Sequence, residues 1–339
     1  MKISNNMAIA LAALLSLAAC NSWTGPESLT IKEPTMGEKD PAIYRAYLDN
    51  LNVYKQSWHQ LLVGWFDNSS KSSPSRAGRL ASLPDSVDVV SLLSPDNLTA
   101  TELDDIATLK TKGTRVIYTI DYESFCRKIE KQIESAADTG GVYEPDWMAL
   151  TAEFMDNSLA LLGKYPYDGV SILYEGHSSL LMPQDEADSL ARQQAIIFDR
   201  MSAAAAASRD KLFMFEGYPQ FVIDRTALSI YHYFAIQSQN EPSVADVEFV
   251  AVKAKLPGVT SDRMIVKTFP REVGKDDEPR GIFVVEGMDC SAITELAYWM
   301  AQPSSWRKAG LGVVRINDDY YNADRDYKYI RSAIRIMNP

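Results

Sequence analysis

The sequence is poor in cysteine and histidine, with three of each, and it carries no excess of basic charge. Cysteines at 20, 126 and 290 cannot build a disulfide framework, and their spacing matches no zinc site. Lys and Arg number 34 against 45 Asp and Glu, for a net charge of −11. The clustered cations that bind phosphate backbones are therefore missing, which argues against a nucleic-acid partner. His59, His177 and His232 do not fall at helical spacing from one another, so they suggest no metal pair. No Gly-rich G-x-G-x-x-G turn follows the first strand candidate, which counts against a dinucleotide site. Internal repeats and low-complexity tracts are also missing from the body, and neither a metal nor a cofactor is expected.

What is present starts with a leader. Met1-Lys2 and Asn5-Asn6 precede an apolar run from Met7 to Ala19, too short to cross a bilayer alone. The run ends in Leu17-Ala18-Ala19-Cys20, which resembles the bacterial lipoprotein cleavage box. That resemblance implies acylation of Cys20 and a lipid anchor in the cell envelope, expected at the outer membrane. Nothing in Asn21-Ser22-Trp23 reads as a sorting cue, so the leaflet stays open. The expected organisation is a signal peptide over 1–19, the lipidated Cys and a Ser/Pro/Gly-containing linker over 20–43, and one domain over 44–339.

Within that domain, apolar runs rich in β-formers alternate with helical patterns. The runs are 61–66, 87–92, 115–120, 169–174, 211–215, 227–231, 264–267 and 312–316. Helices are expected over 101–112, 147–164, 185–208 and 291–300, with Asp96-Asn97 and Ser291 as openings. Continuous apolar strands between amphipathic helices predict a parallel sheet covered on both faces. Eight of them suit a single (β/α)8 TIM barrel. The connection from Phe215 to Ala227 is the weak point, since it barely holds a helix.

Barrel sites form at the C-terminal ends of strands. Those ends carry Asp121-Tyr122-Glu123, Glu175, Glu216-Gly217-Tyr218, Tyr231-His232-Tyr233 and Asn317-Asp318-Asp319-Tyr320. Rings stack on the C–H faces of pyranoses and carboxylates hold hydroxyls, so this rim suits carbohydrate. Candidate contacts are Trp65, Asp121, Tyr122, Glu216, Tyr218, Asp318 and Tyr320.

The sharpest signal is Tyr167-Asp168-Gly169-Val170-Ser171-Ile172-Leu173-Tyr174-Glu175. It resembles the fourth-strand signature of family 18 glycoside hydrolases, the chitinases and endo-β-N-acetylglucosaminidases, which runs Asp-Gly-x-Asp-x-Asp-x-Glu. Asp168, Gly169 and Glu175 match, while Ser171 and Leu173 stand where two Asp residues belong. Residues 54–59, 64–66 and 83–88 are similar to a group of such lipoproteins in gut Bacteroidetes. The resemblance implies that Glu175 is the general acid and that a sixth-strand Tyr, Tyr231 or Tyr233, bonds the acetamide. It also implies cooperation with outer-membrane glycan-import proteins. Alternation puts Ser171, Leu173 and Glu175 on the lumen face, and Leu173 can neither accept a hydrogen bond nor carry charge. Loss of one preorganised electrostatic partner typically costs about 10²–10³ in rate. The expectation is therefore a barrel that binds N-acetylglucosamine-containing glycans with weak or no hydrolysis. The alternatives are an active endo-β-N-acetylglucosaminidase and a structural subunit of an import assembly.

Overall fold

A computed structural model describes residues 39–71, 75–271, 280–303 and 306–339. The expected signal peptide, Cys20 and all but the end of the linker lie outside the described residues. The chain forms two compact units, Met1–Tyr47 and Leu48–Pro339. The described part of the first opens helix α1 (Pro41–Gln56), where the Asp40 carboxylate accepts the Ile43 N–H at 3.0 Å.

The second unit carries eight parallel strands closed into a barrel. In chain order they are β1 (Leu61–Phe66), β2 (Val89–Leu92), β3 (Arg115–Asp121), β4 (Gly169–Tyr174), β5 (Leu212–Gly217), β6 (Tyr233–Ile236), β7 (Met264–Thr268) and, after a small hairpin, β10 (Gly310–Val314). Each neighbours the next, and β1 closes the ring on β10, with Leu61 opposite Gly310 and Trp65 opposite Val314. Helices α2 (Ala100–Thr111), α3 (Tyr122–Asp138), α4 (Trp147–Lys164), α5 (Gln184–Ala207), α6 (Val244–Lys253), α7 (Ala292–Ala301) and α8 (Lys328–Met337) lie between or after them. The hairpin, β8 (Ile282–Val285) paired antiparallel with β9 (Met288–Ser291), is an insertion ahead of α7 that the sequence pattern had not suggested. The expected (β/α)8 barrel is what the chain builds.

Period-two alternation sorts each strand into two cores. Val63, Trp65, Val89, Ile117, Leu212, Met214, Ala235 and Ile265 fill the lumen. Leu62, Phe66, Val90, Tyr118, Ile120, Phe213, Phe215, Phe234 and their helix partners form the outer layer. On β4, Val170, Ile172 and Tyr174 belong to that outer layer, so Ser171 and Leu173 turn inward as the alternation requires. The Trp65 indole is accommodated because β10 has Gly312 beside it, where a Cβ would stand 2.7 Å from the ring.

One strand is displaced from its expected place. Residues 227–231 are not strand; Arg225–Ile230 is a 3-10 turn, and β6 starts at Tyr233. The cause is local, since the Asp224 carboxylate accepts the Thr226 N–H at 3.0 Å and its hydroxyl at 2.7 Å and so winds the chain. Leu228 and Tyr231, three residues apart, are the buried positions of this segment, a 3-10 period that mimics a short apolar strand. The short connection after β5 thus holds two 3-10 turns, Pro219–Phe221 and Arg225–Ile230, instead of an α-helix. Helix α2 is opened by Thr99 in a capping box with Glu102, not by Asp96-Asn97. Asp96 instead binds Lys164 Nζ at 2.6 Å and the Tyr165 hydroxyl at 3.0 Å.

Candidate functional site

Glu175 directly follows β4 and stands half-buried at the C-terminal end of the barrel. Its backbone is held by what the neighbouring strands do. Pairing of β3 with β4 ends at Asp121 opposite Leu173, because α3 begins at the next residue. Asp121 caps that helix, accepting the Ser124 N–H at 2.8 Å and the Ser124 hydroxyl at 2.6 Å. The Glu175 N–H therefore has no strand partner on that side, and Glu123, in the first turn of α3, takes it at 2.7 Å. Burial pushes the Glu123 carboxyl up; the Glu175 amide opposes this, and the Glu175 charge adds to it. On the other side, β5 ends in Gly217 at φ +131°, where any Cβ would strike the Tyr174 carbonyl oxygen. Tyr218 follows, half-buried, its hydroxyl pushed up by burial and then by the charges of Glu175 and Glu241.

Beneath Glu175 the lumen is polar. Register places Asp121, Leu173 and Glu216 side by side on β3, β4 and β5. Glu216 is 1% exposed, accepts the Thr119 hydroxyl at 2.8 Å and pairs with Lys267 Nζ of β7 at 3.3 Å. Thr119 in turn accepts the Ser91 hydroxyl at 2.7 Å. Lys267 Nζ also lies 5.0 Å from the centre of the Trp65 ring. This network spans β1, β2, β3, β5 and β7. Trp65 Nε1, Ser171 Oγ and Gln237 Oε1 are buried and have no hydrogen-bond partner among the described residues. Trp65 and Ser171 face the lumen, and Gln237 extends the inward series Tyr233, Ala235 of β6. Unmet donors and acceptors of this kind are supplied by water or by a polar ligand.

The residues singled out from the sequence divide into three groups. Glu175 and Tyr218 come together at the mouth, with Glu216 below them. Trp65 is lumen rather than rim, and Asp121 is engaged in its cap. The others lie elsewhere. Tyr122 is 3% exposed in the outer layer, its hydroxyl 3.1 Å from Thr151 Oγ1. Tyr231 is 1% exposed, packed edge-on against Phe215 and Phe234 in the outer layer. Tyr233 is the first residue of β6, and it feels Arg115, Asp88 and Arg263, which lie at the N-terminal ends of strands. Neither tyrosine is at the mouth, because the sixth strand starts later than its sequence suggests. Asp318 is exposed and paired with Arg315 at 2.7 Å, while Tyr320 packs on Tyr321 and Tyr327. Glu123 was among the residues expected at the end of the third strand; Lys267 and Gln237 were missed. A lone Lys in the apolar seventh run was the available signal for the first, and a correctly placed β6 would have exposed the last.

The chain matches the family model described as glycoside hydrolase family 18, BT1044-like, over residues 24–336. No curated sequence is similar enough to count as a match. Among solved structures, an endo-β-N-acetylglucosaminidase from Cordyceps militaris is 20% identical with a TM-score of 0.62, covering 87% of this chain and 96% of its own. A selenomethionine BT1044 Glu-to-Gln variant is 18% identical with a TM-score of 0.65, covering 90% and 96%. A family 18 chitinase from Cycas revoluta in complex with (GlcNAc)4 is 11% identical with a TM-score of 0.52, covering 82% and 98%. At these identities the likeness establishes the barrel.

Proposed function

Because this chain belongs to glycoside hydrolase family 18, in its BT1044-like group, we propose that it is a membrane-anchored barrel that binds N-acetylglucosamine-containing glycans at the Glu175 mouth with weak or no hydrolysis. One observation carries the second half. Leu173 stands where the family pattern calls for an Asp that orients the acetamide and stabilises the cationic ring. The two carboxylates in register with it are already committed, Asp121 to the cap of α3 and Glu216 to Lys267 and Thr119. Neither is free to replace the missing anion, and Lys267 adds a positive charge to the floor where a cation would form. Binding needs less. Tyr218 offers a ring, Glu175 an acceptor, and Trp65, Ser171 and Gln237 offer unmet polar atoms to hydroxyl and amide groups. Two similar folds were solved holding N-acetylglucosamine-based saccharides, (GlcNAc)4 and fucosyl-N-acetylglucosamine-Asn, which supports the ligand class.

The second reading is an active endo-β-N-acetylglucosaminidase with Glu175 as acid. It is favoured by the second carboxylate, Glu123, held against the Glu175 backbone. Incubating the purified mature chain with N-glycans and chitooligosaccharides, with calorimetry and mass spectrometry, decides between them. Saturable binding without product supports the proposal. Cleavage between two N-acetylglucosamine units that is lost in Glu175→Gln overturns it in favour of the enzyme. Anchoring rests on the Leu17-Ala18-Ala19-Cys20 box, and glycan-import partners in the outer membrane rest on the Bacteroidetes resemblance alone.

A further inference from the structure

The shortfall of β3 relative to β4 creates a demand for one hydrogen-bond acceptor, and the first turn of α3 supplies it. The Glu123 carboxylate takes the Glu175 N–H at 2.7 Å, immediately before Gly176. A charged acceptor on main-chain donors makes hydrogen bonds roughly twice as strong as a neutral one. Its place near the N-terminus of a 17-residue helix favours the negative charge further. The backbone beside it is closely packed. Gly176 sits at φ +57°, where a Cβ would meet the Tyr174 ring at 2.6 Å, and Gly217 lies against the preceding carbonyl. We propose that Glu123 is the positioning residue of the mouth, fixing through the Glu175 amide where the Glu175 carboxylate stands against the glycan. The ligand half of this rests on the reading that glycan binds at Glu175.

The groups facing Glu123 are Glu175 and Tyr174 from the end of β4, with Arg127 and Cys126 on its own helix. Glu175 is the like charge among them, held close to Glu123 by the hydrogen bond that its own N–H donates.

Amide hydrogen exchange at Glu175, followed by NMR in the native chain and two variants, tests the positioning half. Glu123→Ala removes the acceptor and is expected to speed exchange at the Glu175 amide by about tenfold or more. Glu123→Gln keeps a carbonyl acceptor and is expected to stay near the native rate. Calorimetry with a chitooligosaccharide should then show about tenfold weaker binding for the Ala variant and less than about threefold for the Gln variant. Unchanged exchange in Glu123→Ala overturns the proposal, as does faster exchange with unchanged affinity. Failure of the native chain to bind any saccharide overturns the glycan reading and the ligand half, while the exchange comparison still decides the positioning half. If the Ala variant does not fold, the Glu123 carboxyl can be titrated by carbon NMR in Glu175→Gln. Its midpoint is expected to fall when the like charge is removed, and an unmoved midpoint overturns the pairing.

Discussion

At the scale of the residue, Leu173 and Lys267 define what this barrel lacks and what it has gained. Leu173 occupies an inward position flanked by Asp121 and Glu216, yet contributes no charge to the rung. Leu173→Asp is expected to produce measurable cleavage of chitooligosaccharides, read by mass spectrometry, because one preorganised partner is typically worth about 10²–10³ in rate. Absence of product while glycan still binds would show that Leu173 is not the main defect. The Lys267–Glu216 pair makes a different prediction, since both side chains are almost wholly buried. Lys267→Met leaves an uncompensated carboxylate in the lumen, and urea unfolding should register a loss of about 3–5 kcal/mol. The double variant Lys267→Met/Glu216→Gln should recover much of that, because the cost lies in the unpaired charge rather than in the absence of the bond.

At the scale of the element, short polar devices decide where helices and strands begin, and their charges make stability depend on pH. Asp319, 3% exposed, accepts the Ile330 N–H at 3.0 Å in the first turn of α8. Burial raises its carboxyl from 3.8 to about 6, against the pull of the Ile330, Asn322 and Tyr329 donors. The folded chain therefore holds a proton that the unfolded chain releases near pH 3.8, so stability falls as pH rises through the window up to about 6. Asp319→Asn keeps an acceptor without the charge, and its melting temperature should lack that fall when both proteins are scanned across the window. A stability curve identical to the native one would sink this account. His59 acts in the same direction at a higher pH. The Asp88 hydrogen bond raises its imidazole above 6.5, so its contribution is complete below that value and is lost as pH climbs through the raised midpoint. These devices were only partly legible. The Thr99–Glu102 capping box is present in the sequence as a local pattern, whereas Asp319 reaches α8 from eleven residues away, a separation at which no spacing rule operates.

At the scale of the whole molecule, the barrel places a polar mouth at one end, with Glu175 and Tyr218 above the buried Glu216. If Cys20 carries the anchor, Cys20→Ser should move the protein from the membrane pellet to the soluble fraction, and an unchanged distribution in fractionation would count against lipidation. The architecture itself was readable in advance. Apolar runs such as 61–66 and 169–174 are strands because their residues are buried on both faces, and that double burial is written into composition without any knowledge of neighbours. Alternation likewise assigned Ser171 and Leu173 to the lumen, since the two-residue period of a strand is a property of the backbone alone. The sixth strand was misplaced because Asp224 turns an apolar run into 3-10 helix, a choice made by one side chain against a general preference. What only the tertiary structure decided is which charges meet. Lys267 and Glu216 are 51 residues apart, Glu123 and Glu175 are 52 apart, and each pair exists because barrel closure and register set those atoms within hydrogen-bond reach. The strand pattern follows from burial along the chain, which is local; the site follows from pairing across the sheet, which is not.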